Sequence, residues 1–291
     1  MSTTGPTAGP AAVLKLGGDV VADDRGLAAV LADVRALVDE GWRLLVCHGG
    51  GPQAGALQAR LGVPKVMVGG RRVTDEPTLQ IMKQVLAGEV SVDLVAAAVE
   101  AGLPAVGLSG VSCGLVTAHR RPPISVPGHD EPVDFGLVGR IDAVQVELLH
   151  HLWAGGYVPV LNTLGLDGQR HPQRPTRQVY NINADTVASA VAAALGVDHL
   201  FLVTAIGGVM RDKDDPSTRI EVLHASQARA AIADGTIVGG MIPKVEEALH
   251  NLARGIGAVH IIGPGAGCLR GAAQRPGGQG TALLPDLDPT P

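Results

Sequence analysis

Two short apolar segments of the 291-residue chain each end in consecutive glycines, and a helical pattern lies between them. Residues 12–16 precede a Gly-Gly pair, and residues 43–47 precede a His-Gly-Gly-Gly run. Residues 26–40 carry apolar side chains at helical spacing. This strand–helix–strand order predicts a mainly parallel sheet with right-handed crossover connections, so we expect an α/β protein.

The composition limits the classes of protein to which the chain can belong. Hydrophobic residues make up 46% of it, with only two each of Trp, Tyr and Phe, so the core must consist of Ala, Val, Leu and Ile. The net charge of −5 and the lack of a basic run argue against nucleic-acid binding. Cys47, Cys113 and Cys268 form no CxxC pair, which argues against a zinc site and favours a reducing cytoplasm. No apolar run is long enough to span a membrane.

The remaining periodicity indicates two α/β lobes with short tails. Further helices are expected at residues 53–61, 76–102, 143–154, 183–195, 225–233 and 241–252. Further strands are expected at residues 105–108, 157–161, 199–204 and 259–262, with hairpins within 113–139. We assign residues 1–11 to a disordered tail, 12–178 to a first lobe, 179–284 to a second lobe and 285–291 to a second disordered tail. The polar, proline-broken residues 169–175 are a plausible lobe junction.

The glycines at the strand ends are candidates for ligand binding. Ligands of open parallel sheets bind beyond the carboxyl ends of the strands, where Gly17, Gly18 and the glycines at 49–51 are expected. Without Cβ atoms, backbone N–H groups can approach an anion closely. Neither segment has Walker A or GxGxxG spacing. Tight strand-to-helix turns alone would explain one such segment, but they explain two poorly.

Two lysines and an aspartate occupy positions where a charge needs a partner. Lys15 interrupts an apolar strand, where its charge is costly to bury without a ligand or counter-ion. Lys244 falls in the first turn of a predicted helix, where a cation is useful if a polyanion binds there. Asp185 begins another helix and could fix the positions of both lysines. The alternatives are a lysine that reaches solvent along the sheet edge, an ordinary surface lysine and an ordinary N-cap.

The remaining polar motifs are less specific. Arg72 follows Gly70 and Arg71 just before a helix, and an arginine there could hold a carboxylate, although a solvated pair is the usual alternative. The ten histidines show no HExxH spacing. Ser109 lacks the G-x-S-x-G pattern of a hydrolase nucleophile.

Five motifs taken together resemble the amino-acid kinase family. They are KLGG at 15–18, HGGGP at 48–52, GRRVTD at 70–75, NINAD at 181–185 and GGMIPKV at 239–245. The match keeps the family's order and spacing from about residue 12 to about residue 255. The resemblance implies a three-layer αβα sandwich with a mainly parallel central sheet. It also implies ATP with Mg²⁺, and phosphorylation of the γ-carboxylate of N-acetyl-L-glutamate in arginine biosynthesis.

The resemblance also implies roles for individual residues. Lys15 and Lys244 would stabilise the transferring phosphoryl group and Asp185 would orient both lysines. The first lobe would bind the acylated amino acid, through Gly50, Gly51, Arg72, Asn181 and Asn183. The second lobe would bind ATP, and the nucleotide site would include Gly17, Gly18, Ala205, Ile206, Gly207, Gly208, Val209, Met210, Thr236, Ile237 and Val238. No protein side chain is expected to be a metal ligand.

Three departures from the family pattern shape the remaining expectations. Ala205 stands where relatives usually have an aspartate, and residues 107–114 lack the usual charged pair. Residues 263–280 lack the His and Glu of the arginine-feedback pattern, and only about eleven residues precede the first strand, so we expect an arginine-insensitive cytoplasmic homodimer. Two alternatives stay open. One is a kinase for an aminoadipate derivative of lysine biosynthesis, and the other is a non-catalytic ligand-binding regulator of the same fold.

Overall fold

The computed structural model describes residues 9–169, 177–212 and 215–286. The strands in these residues are β1 (Ala11–Leu16), β2 (Arg43–His48), β3 (Met67–Val68), β4 (Arg71–Arg72), β5 (Ala105–Ser109), β6 (Val116–Arg120), β7 (Gly139–Val144), β8 (Val158–Asn162), β9 (Leu164–Asp167), β10 (Val179–Asn181), β11 (His199–Val203), β12 (Val222–His224), β13 (Ala258–Ile262) and β14 (Thr281–Leu284). The α-helices are α1 (Gly18–Val21), α2 (Asp24–Asp39), α3 (Gly51–Leu61), α4 (Glu76–Lys83), α5 (Ser91–Glu100), α6 (Glu147–Ala154), α7 (Ala184–Leu195), α8 (Ala225–Ala233), α9 (Ile242–Ala253) and α10 (Cys268–Gln274).

An eight-stranded sheet forms the centre of the molecule, in the order β12-β14-β13-β11-β1-β2-β8-β5. All neighbouring strands in it are parallel except β13 and β14, which are antiparallel. A four-stranded sheet, β10-β9-β6-β7, and the β3–β4 hairpin lie outside it. The predicted mainly parallel sheet is therefore confirmed.

Helices cover both faces of the central sheet. Residues of α6, α7, α8 and α9 pack on one face, and residues of α2, α5 and α10 pack on the other. In β1 the side chains alternate, so Leu14 and Leu16 face α2 while Val13 faces α7. The same alternation places Lys15 on the α7 face. This arrangement is the expected three-layer αβα sandwich.

The strands β1 and β2 end where the sequence predicts, next to the glycine turns. The helix α3 begins at Gly51 with Pro52 in its first turn, where a missing N–H costs nothing. It ends at Gly62, which has the left-handed conformation (φ 69°) of a helix C-terminus.

The predicted helix over residues 76–102 is present but changes its pitch midway. The helix α4 has Asp75 as its N-cap, whose carboxylate accepts the N–H of Thr78. A π-helical segment, Gln84–Val90, joins it directly to α5. Wider helical turns of this kind are common next to functional sites. Here the segment packs Leu86 and Val90 close to Gly50.

The helix predicted over 143–154 was wrong at its beginning, because α6 begins only at Glu147. Residues 143 and 144 instead extend β7, whose antiparallel pairing with β6 continues to Val144 opposite Val116. Pairing with another strand overrides local helical periodicity here. The strands β9, β10, β12 and β14 and the helix α10 were not predicted, since each has too few residues for a clear period.

The predicted tails and the predicted lobe junction lie at or next to the ends of the described ranges. Ala11 belongs to β1, although it was assigned to the N-terminal tail. The carbonyl oxygen of Pro285 lies 2.8 Å from Nδ1 of His224, and Asp286 accepts the N–H of Ser226 at 2.8 Å. Most of the junction predicted at 169–175 lies outside the described residues, as do residues 1–8 and 287–291 of the predicted tails. No helix in the described part of the chain combines the length and the apolar character that crossing a membrane requires.

Candidate active site

A cleft of about 1300 Å³ opens beside the carboxyl ends of β1 and β2. The predicted residues that line it are Lys15, Gly17, Gly18, Gly50, Gly51, Arg72, Asn181, Asn183 and Asp185. Pro243, Glu246 and Glu247 of α9 line it as well, and they flank Lys244 in sequence. The structure thus brings residues from all five sequence motifs to one cavity, and Pro243 is the residue contributed by the GGMIPKV segment.

Lys15 and Asp185 form a salt bridge in the wall of the cleft. The Nζ atom of Lys15 lies 2.7 Å from Oδ1 of Asp185, and the Lys15 side chain is only 12% exposed. The pair forms because β1 directs Lys15 towards α7, and Asp185 lies in the first turn of that helix. A lysine that is mostly buried and paired with a carboxylate is not a surface lysine that reaches for solvent, so that alternative is excluded.

Lys244 lies in the first turn of α9 and is half-buried. Burial lowers the pKa of its ammonium group, and the charge of Lys15 lowers it further, while Asp185 and Asp19 act in the opposite direction. No salt bridge joins Lys244 to Asp185 in the described residues, so Asp185 contacts one lysine rather than both. Two lysines beside one paired carboxylate leave a net positive charge, which suits an anionic ligand.

The two asparagines of the NINAD segment have separate structural partners. The side-chain oxygen of Asn183 accepts the N–H groups of Asp185 at 2.8 Å and Thr186 at 3.4 Å, so Asn183 is the N-cap of α7. The side-chain amide of Asn181 donates to Oγ1 of Thr74 at 3.2 Å. This hydrogen bond joins the NINAD segment to the GRRVTD segment.

Arg72 is held by the protein rather than free in solvent. Its guanidinium group donates to the side-chain oxygen of Gln58 and, at 2.8 Å, to the carbonyl oxygen of Gly51. Partial burial lowers its pKa. Arg72 therefore ties the β3–β4 hairpin to the beginning of α3, next to the glycine turn.

The two glycine turns pack against each other and leave helix N–H groups facing the cleft. Gln53 donates its side-chain amide to the carbonyl oxygen of Gly18 at 2.8 Å. A Cβ atom on Gly18 would lie 2.7 Å from Cδ of Pro52, so a larger residue would separate the turns. The helix α3 has no side-chain N-cap, because Gly50 precedes it, and its first N–H groups are available to an anion.

The sequence profile of the amino acid kinase family matches residues 10–263, which include the glycine turns, both lysines and Asp185. This chain belongs to the amino acid kinase family. Its relatives include an acetylglutamate kinase of Sorangium cellulosum (strain So ce56), 48% identical over 98% of this chain and 96% of that protein.

Solved structures share the fold of this chain. The crystal structure of smu.665 from Streptococcus mutans UA159 superposes with a TM-score of 0.73 at 26% identity, over 95% of this chain and 99% of that one. Carbamate kinase from Giardia lamblia bound to AMP-PNP superposes with a TM-score of 0.68, over 96% of this chain and 99% of that one. At 18% identity, the second likeness shows the fold alone.

Apart from Gly17 and Gly18, the residues that the family resemblance assigns to the nucleotide do not line the cleft. Residues 205–210 follow β11, and residues 236–238 precede α9. Val209 and Ile237 are buried in the core, while Ile206 and Val238 are more than half exposed. Side chains of Val209 and Ile237 therefore support the packing of this amino acid kinase. The nucleotide contacts of Ala205, Gly207, Gly208, Met210 and Thr236 stay predictions.

Glu247 is a cleft residue of this amino acid kinase that sequence reasoning did not find. Burial raises the pKa of its carboxyl group to about 7, and the charge of Asp185 contributes in the same direction. Glu247 lies three residues after Lys244 on α9, so the helical period could have placed both on one side of the helix. Arg71, Arg121 and Arg140 also line the cleft without having been predicted as ligands.

Proposed function

We propose that the protein catalyses the ATP-dependent phosphorylation of N-acetyl-L-glutamate on its γ-carboxylate, a step of arginine biosynthesis. The observation that carries this proposal is the Lys15–Asp185 salt bridge beside Lys244, in a cleft that also holds Arg72. The relatives named acetylglutamate kinase, among them one from Anaeromyxobacter dehalogenans at 48% identity over 94% of this chain, support the choice of substrate.

The reaction needs charge stabilisation more than proton transfer. A carboxylate acceptor is already ionised at neutral pH, so no general base has to activate it. Lys15 and Lys244 stabilise the negative charge on the phosphoryl oxygens as the group moves to the acceptor. Asp185 holds Lys15 in place, and the uncapped N-terminus of α3 supplies N–H donors. The non-reacting α-carboxylate binds at Arg72.

The cleft fits the polyphosphate of ATP with its Mg²⁺. Cationic side chains and uncapped helix N–H groups are the donors that phosphate oxygens require, and Lys15, Lys244, Gly17 and Gly18 would hold them. No cluster of three His, Cys, Asp or Glu side chains suited to a metal is found in the described residues. The Mg²⁺ would accordingly be held chiefly by phosphate oxygens, and when bound it neutralises part of their charge.

Trapping of the acyl phosphate with hydroxylamine tests the proposal. The assay uses the full chain with ATP and Mg²⁺, and compares N-acetyl-L-glutamate with an aminoadipate derivative and with aspartate. We expect hydroxamate from N-acetyl-L-glutamate and little from the other two acids. Turnover of the aminoadipate derivative alone would assign the protein to lysine biosynthesis instead, and no turnover of any acid would favour a non-catalytic regulator.

The cellular setting belongs to the same proposal. The three free cysteines support a reducing cytoplasm as the location of the enzyme, and we propose that it acts as a homodimer on small molecules, without nucleic-acid or membrane partners. We further propose that arginine does not inhibit it, and an inhibition titration with arginine checks this.

A further inference from the structure

Three arginines that the proposed reaction does not use converge on the cleft. Arg71 lies in β4, Arg121 directly follows β6, and Arg140 lies in β7, and all three line the cavity. They belong to separate segments of the chain, so the tertiary structure alone brings them together. We call these three residues the arginine cluster.

The positive charges of the arginine cluster repel one another. Burial lowers the pKa of Arg121, and the positive charges of Arg71 and Arg140 lower it further, so the three guanidinium groups interact. Arg121 is partly buried, whereas Arg71 and Arg140 are exposed, and like charges that interact in this way weaken the fold unless an anion lies between them.

Two acidic side chains near the arginine cluster are already paired with other residues, and Glu247 interacts electrostatically with Arg71 without forming a salt bridge to it in the described residues. Asp142, which also lines the cleft, lies 2.6 Å from Nδ1 of His119. Asp134 lies 2.7 Å from Arg120. Over residues 9–169, 177–212 and 215–286, no carboxylate forms a salt bridge with a member of the arginine cluster.

Arg72 differs from the cluster, although it is adjacent to Arg71. Its guanidinium group is held by Gln58 and by the carbonyl oxygen of Gly51. No hydrogen bond to a protein acceptor restrains the guanidinium groups of Arg71, Arg121 and Arg140 in the described residues. The wall beside them includes Ile124 and Phe135, and apolar surroundings strengthen attraction between charges.

We propose that the arginine cluster is a second anion subsite of the cleft, which binds a carboxylate or phosphate group of a small molecule. This subsite is separate from Arg72 and from the two lysines. The anion has two possible sources, which are an acidic group on the acyl end of the substrate and a free small anion. Only the first of these sources rests on the proposed function.

Calorimetric titration with inorganic phosphate and with citrate tests the subsite without any turnover. We compare the unmodified protein with Arg121→Gln and with Arg60→Gln, which removes the same charge from an exposed position at the end of α3. We expect Arg121→Gln to weaken binding of at least one anion by about tenfold or more, since charge-assisted hydrogen bonds are lost. Arg60→Gln should leave that binding constant within about twofold.

A kinetic comparison identifies the source of the anion. N-succinyl-L-glutamate carries a carboxylate at the end of its acyl group, and N-butanoyl-L-glutamate has the same length without it. If the substrate supplies the anion, the kcat/KM ratio of succinyl to butanoyl substrate should fall about tenfold or more in Arg121→Gln. If a free anion is the ligand, the ratio stays constant while the calorimetric difference persists.

Two further readouts make the outcome decisive. In anion-free buffer, Arg121→Gln should melt at the same temperature as the unmodified protein or higher, because the substitution relieves repulsion. Added phosphate should raise the Tm of the unmodified protein more than it raises the Tm of Arg121→Gln. Equal anion binding in Arg121→Gln and the unmodified protein, together with an unchanged succinyl-to-butanoyl ratio, would overturn the proposal. Turnover of N-acetyl-L-glutamate itself, measured by hydroxylamine trapping, reports on the proposed function independently.

Discussion

At the scale of single residues, the two lysines of the site differ in their salt-bridge partners. Asp185 contacts Lys15 directly, whereas Lys244 has no salt-bridge partner in the part of the chain that the structure describes. Its burial and the neighbouring Lys15 charge both lower its pKa. A cation that lacks a protein partner interacts most strongly with charge that develops on the phosphoryl group, so Lys244 should act on kcat rather than on substrate binding.

We therefore expect Lys244→Ala to lower kcat by roughly 10²-fold to 10³-fold, while KM for N-acetyl-L-glutamate changes less than about threefold. Steady-state kinetics measure both constants. Lys83→Ala removes a lysine from the last turn of α4, outside the cleft, and serves as the control. A large rise in KM with an unchanged kcat would show that Lys244 binds substrate only in the ground state.

Glu247 should make substrate binding depend on pH. Its pKa of about 7 means that the carboxyl group is mostly neutral below neutrality and mostly charged above it. The charge adds a second carboxylate close to Asp185, which disfavours an anionic substrate. We expect KM of the unmodified protein to rise by roughly threefold to tenfold between about pH 6 and about pH 8.

The variant Glu247→Gln should flatten this rise, because its side chain has no charge at either pH. Glu246→Gln removes a charge from the exposed neighbour on α9 and should leave the rise in place. An identical pH dependence of KM in Glu247→Gln and the unmodified protein would contradict the assignment of the titration to Glu247.

At the scale of elements, close contacts between backbone segments explain why glycine is required at some positions outside the candidate active site. Gly280 precedes β14 with φ of 71°, and a Cβ atom there would lie 2.1 Å from the carbonyl oxygen of Ile261 in β13. Only glycine lets β14 pair with β13 at this distance. Gly255, after α9, has φ of 91° but open space around the position of a Cβ atom.

We expect Gly280→Ala to lower the free energy of unfolding by about 2–4 kcal/mol, because both strain and a clash arise. Gly255→Ala introduces only the unfavourable φ and should cost about 1 kcal/mol. Urea denaturation followed by circular dichroism measures both values. Equal losses in the two variants would mean that the approach of β14 to β13 does not depend on Gly280.

At the scale of the whole molecule, one sheet joins the two predicted lobes. The strand β1 of the first predicted lobe pairs with β2 of the same lobe and with β11 of the second predicted lobe. The cleft is likewise shared, since Lys15 and Arg72 come from the first predicted lobe and Asp185 and Glu247 from the second. The division into an acyl-binding lobe and an ATP-binding lobe stays a prediction.

The predicted homodimer can be related to an exposed surface. Val92 and Val99 of α5 are 63% and 56% exposed, and they lie seven residues apart, on one side of the helix. The neighbouring β5 is one of the two edge strands of the central sheet. We expect light scattering to give twice the 29.7 kDa mass of one chain, and Val99→Lys to shift the population towards monomer. A monomeric unmodified protein would contradict the dimer.

The roles of Lys15, Lys244 and Asp185 as site residues stay predictions from the sequence, which by itself determined the mainly parallel sheet and the glycine turns. These features depend on local physics, namely side-chain periodicity and the conformations that glycine permits. The short strands were not predictable, because residues such as 164–167 become a strand only when a partner accepts their hydrogen bonds.

The tertiary structure alone decided which charges meet. It paired Asp185 with Lys15 and not with Lys244, and it made Asn183 a helix cap. It raised the pKa of Glu247 by burial and placed Arg121 among like charges. The energy of a charge depends on its distance from other charges and from water, and both distances are properties of the folded chain rather than of residue order.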